Sequence, residues 1–166
     1  QHELSAAMTL LAPLANFAAQ CLHDNRVSEP WTEKRFQGEV QALLRSERSI
    51  GAALEVHTQV SRGITDLAFH GVPLELKAET SRSLTLDDCY RYLEQTESYI
   101  VGAGKRIGLL CVLDSSPKTS AAMAAEDALA LFRQPSGDSE LAVIVLLIQA
   151  NLIRSSDLSR SGAKKP

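Results

Sequence analysis

Apolar residues recur at helical spacing through the first two dozen positions. Leu4, Ala7, Met8, Leu11, Leu14, Ala15, Ala18 and Leu22 fall on one side of a 3.6-residue period, which predicts a helix over residues 3–24. Pro13 lies inside it and predicts a kink or a division into two shorter helices. A polar stretch from Asp24 to Glu29 leads to a second helix, from about Pro30 to Glu47, striped by Phe36, Val40, Leu43 and Leu44. Pro30 suits a first helical position, with Ser28 or Glu29 before it. After Gly51 the period changes to two. Ala53–Val60 reads as a first strand. Leu67 and Phe69 alternate with Asp66, Ala68 and His70, and Leu74 and Leu76 alternate with Glu75 and Lys77. That alternation predicts two more strands, at about 64–69 and 72–78, with His70-Gly71 as a two-residue turn between them.

Ser83–Val101 is predicted as a third helix, with Thr85 as its cap and Asp87 and Asp88 in a first turn where the helix dipole favours acids. Gly102-Ala103-Gly104 ends it. Ile107–Leu113 is apolar throughout and reads as a strand buried on both faces. Ser120–Phe132, rich in Ala and Leu, reads as a helix, and Leu141–Ile148 as another apolar strand. The order is helix, helix, three strands, helix, strand, helix, strand. It predicts an α/β domain over residues 1–154, a mixed sheet flanked by helices, and a flexible tail over 155–166.

At 166 residues one domain is expected, and a net charge of −3 means that any basic surface must be local. The three cysteines, Cys21, Cys89 and Cys111, lie far apart with no C-x-x-C spacing, which argues against zinc and iron–sulfur sites. The scattered His2, His23, His57 and His70 form no H-E-x-x-H pattern, and neither a G-x-S-x-G elbow nor a P-loop occurs. No run of about 18 uncharged apolar residues is expected to span a membrane, and the N-terminal apolar region lacks the basic flank of a secretory signal. These points predict a cytoplasmic location without membrane contact. Because Gln1 opens the chain, a trimmed protein or a part of a larger one is expected.

The hairpin carries the candidate chemistry. With His70-Gly71 as the loop, position 69 pairs with 72 and Asp66 with Glu75. Directly opposed side chains have Cβ atoms about 4.5–5.5 Å apart, and two carboxylates that close repel unless a cation sits between them. Mg²⁺ takes oxygen ligands and keeps several waters beside one or two carboxylates. Lys77 shares the face of Glu75, where its ammonium would hold an attacking water or offset charge building on a phosphate. Pro73 fits an edge, a bulge or a strand start. The competing reading is an amphipathic hairpin whose polar residues are only solvated.

The order helix, three strands, helix, strand, with Asp66 on the second strand and Glu75-Leu76-Lys77 on the third, resembles the PD-(D/E)XK nuclease superfamily. Gly63-Ile64-Thr65-Asp66 looks like its Gly-x-x-Asp run, with Thr65 where the naming Pro would stand, and Gln95 and Tyr99 look like the Q-x-x-x-Y element of one branch. The resemblance covers about residues 30–115 and implies a restriction-endonuclease-like fold with an N-terminal helical addition and a C-terminal helix–strand addition. It implies a Mg²⁺-dependent nuclease, with Mn²⁺ as a substitute and DNA as the expected substrate. Asp66, Glu75, Lys77 and Gln95 are then the catalytic set. Glu39, Asp66, Glu75 and the Leu76 carbonyl are the metal shell, with Glu33 and Glu47 as alternatives to Glu39. Arg62, Arg82, Arg91 and Tyr99 are the expected nucleic-acid contacts, with Lys105 and Arg106 as further cations. The alternative function is a catalytically silent domain of this fold that binds nucleic acid or serves assembly.

Overall fold

The structure, a computed structural model, describes residues 2–60 and 63–153, and for 57–60 and 63–65 the backbone alone. Helices α1 (His2–Asp24) and α2 (Glu33–Ser46) precede strands β1 (Leu54–Val60), β2 (Gly63–Phe69) and β3 (Val72–Glu79). Helix α3 (Leu93–Gly102), β4 (Ile107–Asp114), β5 (Leu129–Ser136) and β6 (Ser139–Gln149) follow. The expected tail over 155–166 lies outside the described residues.

The six strands form one mixed sheet in the order β1-β2-β3-β4-β6-β5. The meander β1–β2–β3 is antiparallel, β4 runs parallel to both β3 and β6, and β5 returns antiparallel along β6. Alternation along the central strands sorts side chains to two cores. Leu74, Leu76, Leu109, Cys111, Leu113 and Ile144 pack with α1 and α2, whereas Leu110, Val112, Val143, Val145 and Leu147 pack with Ile100, Cys89 and Leu84. Helices therefore cover both faces, as an apolar parallel centre requires.

Several elements depart from the sequence reading. Helix α1 runs through Pro13 without a break, because buried side chains on both sides of it (Ala6, Ala7, Leu10 and Leu11 before, Leu14, Phe17 and Cys21 after) hold the helix to the sheet. This helix is also long and apolar enough to cross a membrane by length and composition, contrary to the expectation, since its polar residues from Ser5 to Gln20 are uncharged. Helix α2 begins later than Pro30. Thr32 caps it, its hydroxyl accepting from the Arg35 N–H at 3.3 Å, while Arg35 lies over the Trp31 ring at 4.4 Å. The predicted third helix opens as a 3-10 turn over Asp87–Tyr92 before α3 proper. Thr85 is not its cap acceptor, since both its N–H and its hydroxyl donate to the Asp88 carboxylate.

The largest correction concerns Ser120–Phe132. In place of a helix the chain makes a short 3-10 turn, Ala125–Ala128, and then the edge strand β5. The C-terminal addition is thus a β-hairpin and not a helix and strand. Helix propensity of Ala and Leu is weak beside pairing with the apolar β6, where Leu129, Leu131 and Phe132 oppose Leu146, Ile144 and Val143. Gly137, at φ 60°, turns the hairpin, and Pro135 is tolerated because β5 is an edge.

A polar knot ties the carboxyl ends of the parallel strands. Asp114, Ser115 and Ser116 are buried, and the Lys118 ammonium sits among oxygens, 2.6 Å from Asp114 Oδ1 and 2.7 Å from the Ser116 carbonyl. Asp114 Oδ2 accepts from the Leu84 N–H, Ser115 Oγ accepts from the Trp31 N–H, and Asn151 donates to the Ser115 carbonyl.

Candidate active site

The hairpin forms as its turn chemistry predicts. His70 (φ 49°) and Gly71 (φ 74°) both take positive φ, the signature of a primed two-residue turn, and Phe69 pairs with Val72, Ala68 with Pro73 and Leu67 with Leu74. A Cβ at Gly71 would also meet the Lys105 side chain at 2.7 Å. Asp66 stands one residue beyond the last of these pairs. Its carboxylate reaches across to β3, where Oδ2 accepts from the Leu76 N–H at 2.9 Å, and to α2, where Oδ1 accepts from the Gln37 amide at 2.8 Å.

Glu75 and Lys77 share one face of β3. Glu75 is 2 % exposed, and its Oε1 pairs with the Lys77 ammonium at 2.7 Å. Its other oxygen, Oε2, is buried with no hydrogen-bond partner among the described residues. Burial pushes the Glu75 carboxyl up from its ordinary 4.5 to about 7; the Lys77 bond and charge oppose that, and the negative charges of Asp66 and Glu33 add to it. Burial also acts against the Lys77 ammonium, yet the bond to Glu75 and the charges of Glu75, Glu33 and Asp66 outweigh it and raise its pKa. Lys77 therefore keeps its proton, and Glu75 is the group poised near neutrality.

The surroundings carry the charges of Glu33 and Asp66 beside the Glu75–Lys77 pair. Among the described residues no three His, Cys, Asp or Glu side chains converge as a metal cluster. Two carboxylates with a main-chain carbonyl still suit Mg²⁺, which retains waters, and the partnerless Glu75 Oε2 is an oxygen that a cation would satisfy. The donor set fits the ion.

Glu33, not Glu39, is the helical acid whose charge reaches this site. Two residues on an α-helix are about 200° apart, so Glu39 lies on the far side of the Phe36–Val40 stripe from Gln37, exposed to solvent. Glu47 is at the other end of α2, as its C-cap. Gln37, which the sequence reading missed, follows Glu33 by four and shares its face; that spacing was the available signal. Gln95 and Tyr99 meet each other, the Gln95 amide donating to the Tyr99 hydroxyl at 2.8 Å. Among the described residues no hydrogen bond joins Gln95 to Asp66, Glu75 or Lys77.

The expected phosphate-binding cations are engaged locally. Arg82 pairs with Asp88 at 3.0 Å, and Arg91 with Glu79 at 3.3 Å while lying over the Tyr92 ring. The Glu79 carboxyl is held low, at about 2, chiefly by bonds from the Ser81 hydroxyl and N–H. Arg106 contributes its N–H to Glu3, and His70 stacks on Phe69 at the turn. Arg62 and the His57 side chain lie outside the described residues. No protein-family model, no curated protein and no solved structure matches this chain.

Proposed function

We propose that this chain is a divalent-cation-dependent nuclease of the PD-(D/E)XK superfamily that hydrolyses phosphodiester bonds, most readily in DNA. The reading rests on the Asp66, Glu75 and Lys77 constellation, and on one observation above all: a buried carboxylate oxygen of Glu75 without a partner among the described residues. The order α2, β1–β2–β3, α3, β4, with β3 parallel to β4, supports a restriction-endonuclease-like core. Asp66, Glu75 and the Leu76 carbonyl would hold Mg²⁺ or Mn²⁺, with Glu33 nearby. Bound there, the ion supplies Lewis acidity toward a phosphoryl oxygen and a water of lowered pKa.

The remaining work belongs to side chains. Gln37 and the Leu76 N–H fix the Asp66 carboxylate in one orientation. Lys77, protonated and half-enclosed, presents N–H donors where charge builds on an attacked phosphate. Gln95 and Tyr99 offer a linked amide and hydroxyl on α3 for backbone contact.

The test is cleavage of supercoiled and linear DNA with Mg²⁺ or Mn²⁺ against EDTA, comparing the natural chain with Asp66→Asn and Lys77→Met. Metal-dependent cutting is expected, lowered about 10²–10³-fold in either variant, the scale for removing one transition-state donor. Cutting that survives both substitutions would overturn the assignment.

A second reading has its own support. Both Asp66 oxygens already accept hydrogen bonds within the protein, and the Lys77 ammonium is already paired with Glu75. A domain that binds nucleic acid without cutting it would show this arrangement. It predicts binding that Mg²⁺ and Asp66→Asn leave unchanged.

A further inference from the structure

A cleft of about 520 Å³ lies between the start of α1 and the His70 turn, with no carboxylate among the described residues that line it. A smaller one, about 150 Å³, opens beside Asp66 and is walled by one face of α2: Lys34, Gln37, Gly38 and Gln41, over a floor that includes Val56 and Leu67. Three features of this wall are unexplained by the fold. Gly38 sits in the interior of a helix, where glycine is the poorest residue after proline. A Cβ there would meet nothing within 4 Å, and its φ is not positive, so neither packing nor backbone geometry calls for glycine. Among the described residues Lys34 has no ion pair, and the Gln41 amide has no hydrogen-bond partner.

We infer that this face of α2 seats the sugar–phosphate backbone of the substrate strand as it passes the Asp66 carboxylate. The inference rests on the nuclease reading and deepens it by naming the strand's path and its contacts. Lys34, in the first turn of α2, adds its charge to the positive end of the helix dipole. Gln41 offers N–H donors, and Gln37 has a second amide proton beyond the one given to Asp66. Gly38 leaves the room between them for a backbone to lie against the helix. Ammonium and carboxamide groups recognise phosphodiester oxygens and read no base, so recognition here is independent of sequence.

The experiment is fluorescence anisotropy in EDTA, where no cutting occurs, with a labelled mixed-sequence single strand and the matching duplex at several salt concentrations. Gly38→Ala is expected to raise the melting temperature, since the site is open and alanine is the better helix former. Gly38→Leu is expected to weaken binding severalfold. Lys34→Gln is expected to weaken binding equally for unrelated sequences and to reduce the magnitude of the salt slope by about 1. If Gly38→Leu fails to fold by circular dichroism, Lys34→Gln and Gln41→Ala decide the matter alone. A natural chain that binds and cuts DNA while all folded variants bind as it does would overturn the groove and leave the nuclease reading standing. A natural chain that neither binds nor cuts any nucleic acid would overturn both.

Discussion

Glu75 holds a proton that an unfolded chain would release. Its carboxyl titrates near 7 in the fold, chiefly through burial, against 4.5 when free. Between those values the folded chain binds more protons than the unfolded one, so stability falls as pH rises from about 4.5 to about 7 and levels off above. Lys77 stays protonated across this window and adds no slope. The effect amounts to at most about 3 kcal/mol. Glu75→Gln keeps the shape and removes the titration. Melting temperatures of the metal-free proteins, measured through this window, should show the natural chain losing ground to the variant as pH rises; parallel curves would contradict the assignment. Asp66, Glu75 and Lys77 were legible in the sequence because a two-residue turn fixes register over a few residues. Gln37 was not, and Glu33 stood only as an alternative to Glu39, because acids flank both edges of the Phe36–Val40 stripe and only tertiary packing selects the edge that meets the hairpin.

At the scale of elements, α3 packs closely on the sheet at Gly108. A Cβ on Gly108 of β4 would lie 2.6 Å from Ile100 Cγ1 and 2.8 Å from its Cδ1, with Pro73 Cγ at 3.3 Å. Ile100 is β-branched and fully buried, so it has little room to turn aside. Gly108→Ala should cost about 1–3 kcal/mol by overpacking. Ile100→Val in the same chain should restore part of it, a coupling that a double-mutant cycle by denaturant unfolding would measure. Purely additive losses would place the strain elsewhere. Strands β1 to β3 and both N-terminal helices were readable from period, and β4 and β6 from unbroken apolar runs. The misread Ser120–Phe132 segment shows the limit: its composition favours a helix, and nothing local reveals that a long apolar strand, β6, waits nearby for a partner.

For the whole molecule, the polar knot around Asp114 joins segments far apart in sequence: Trp31, Leu84, Ser115 and Asn151 all close on it or beside it. Lys118 is the sole cation there among the described residues, with its side chain 6 % exposed beside Asp114 at 1 %. Lys118→Met would leave the Asp114 carboxylate buried and uncompensated, at a cost of about 3–5 kcal/mol. Asp114→Asn combined with Lys118→Met should recover much of that, as read by chemical denaturation. Equal losses in the single and double variants would argue against the pairing. None of this was visible in the chain, where Asp114, Ser116 and Lys118 look like an ordinary strand end and loop.

The place of β4 between two parallel neighbours also sets an order of assembly. No tight turn can join it to β3 or to β6, so both pairings wait on long crossovers. The meander closes through local turns, on the microsecond scale of hairpins. Asp66, Glu75 and Lys77 therefore stand in register early, in a hairpin still open to water, where Glu75 is an ordinary ionised carboxylate. The burial that raises this carboxyl to about 7 comes only once the other elements close over the hairpin. The candidate site is thus assembled first and tuned last, and a half-made chain carries the residues without the buried setting that shifts Glu75.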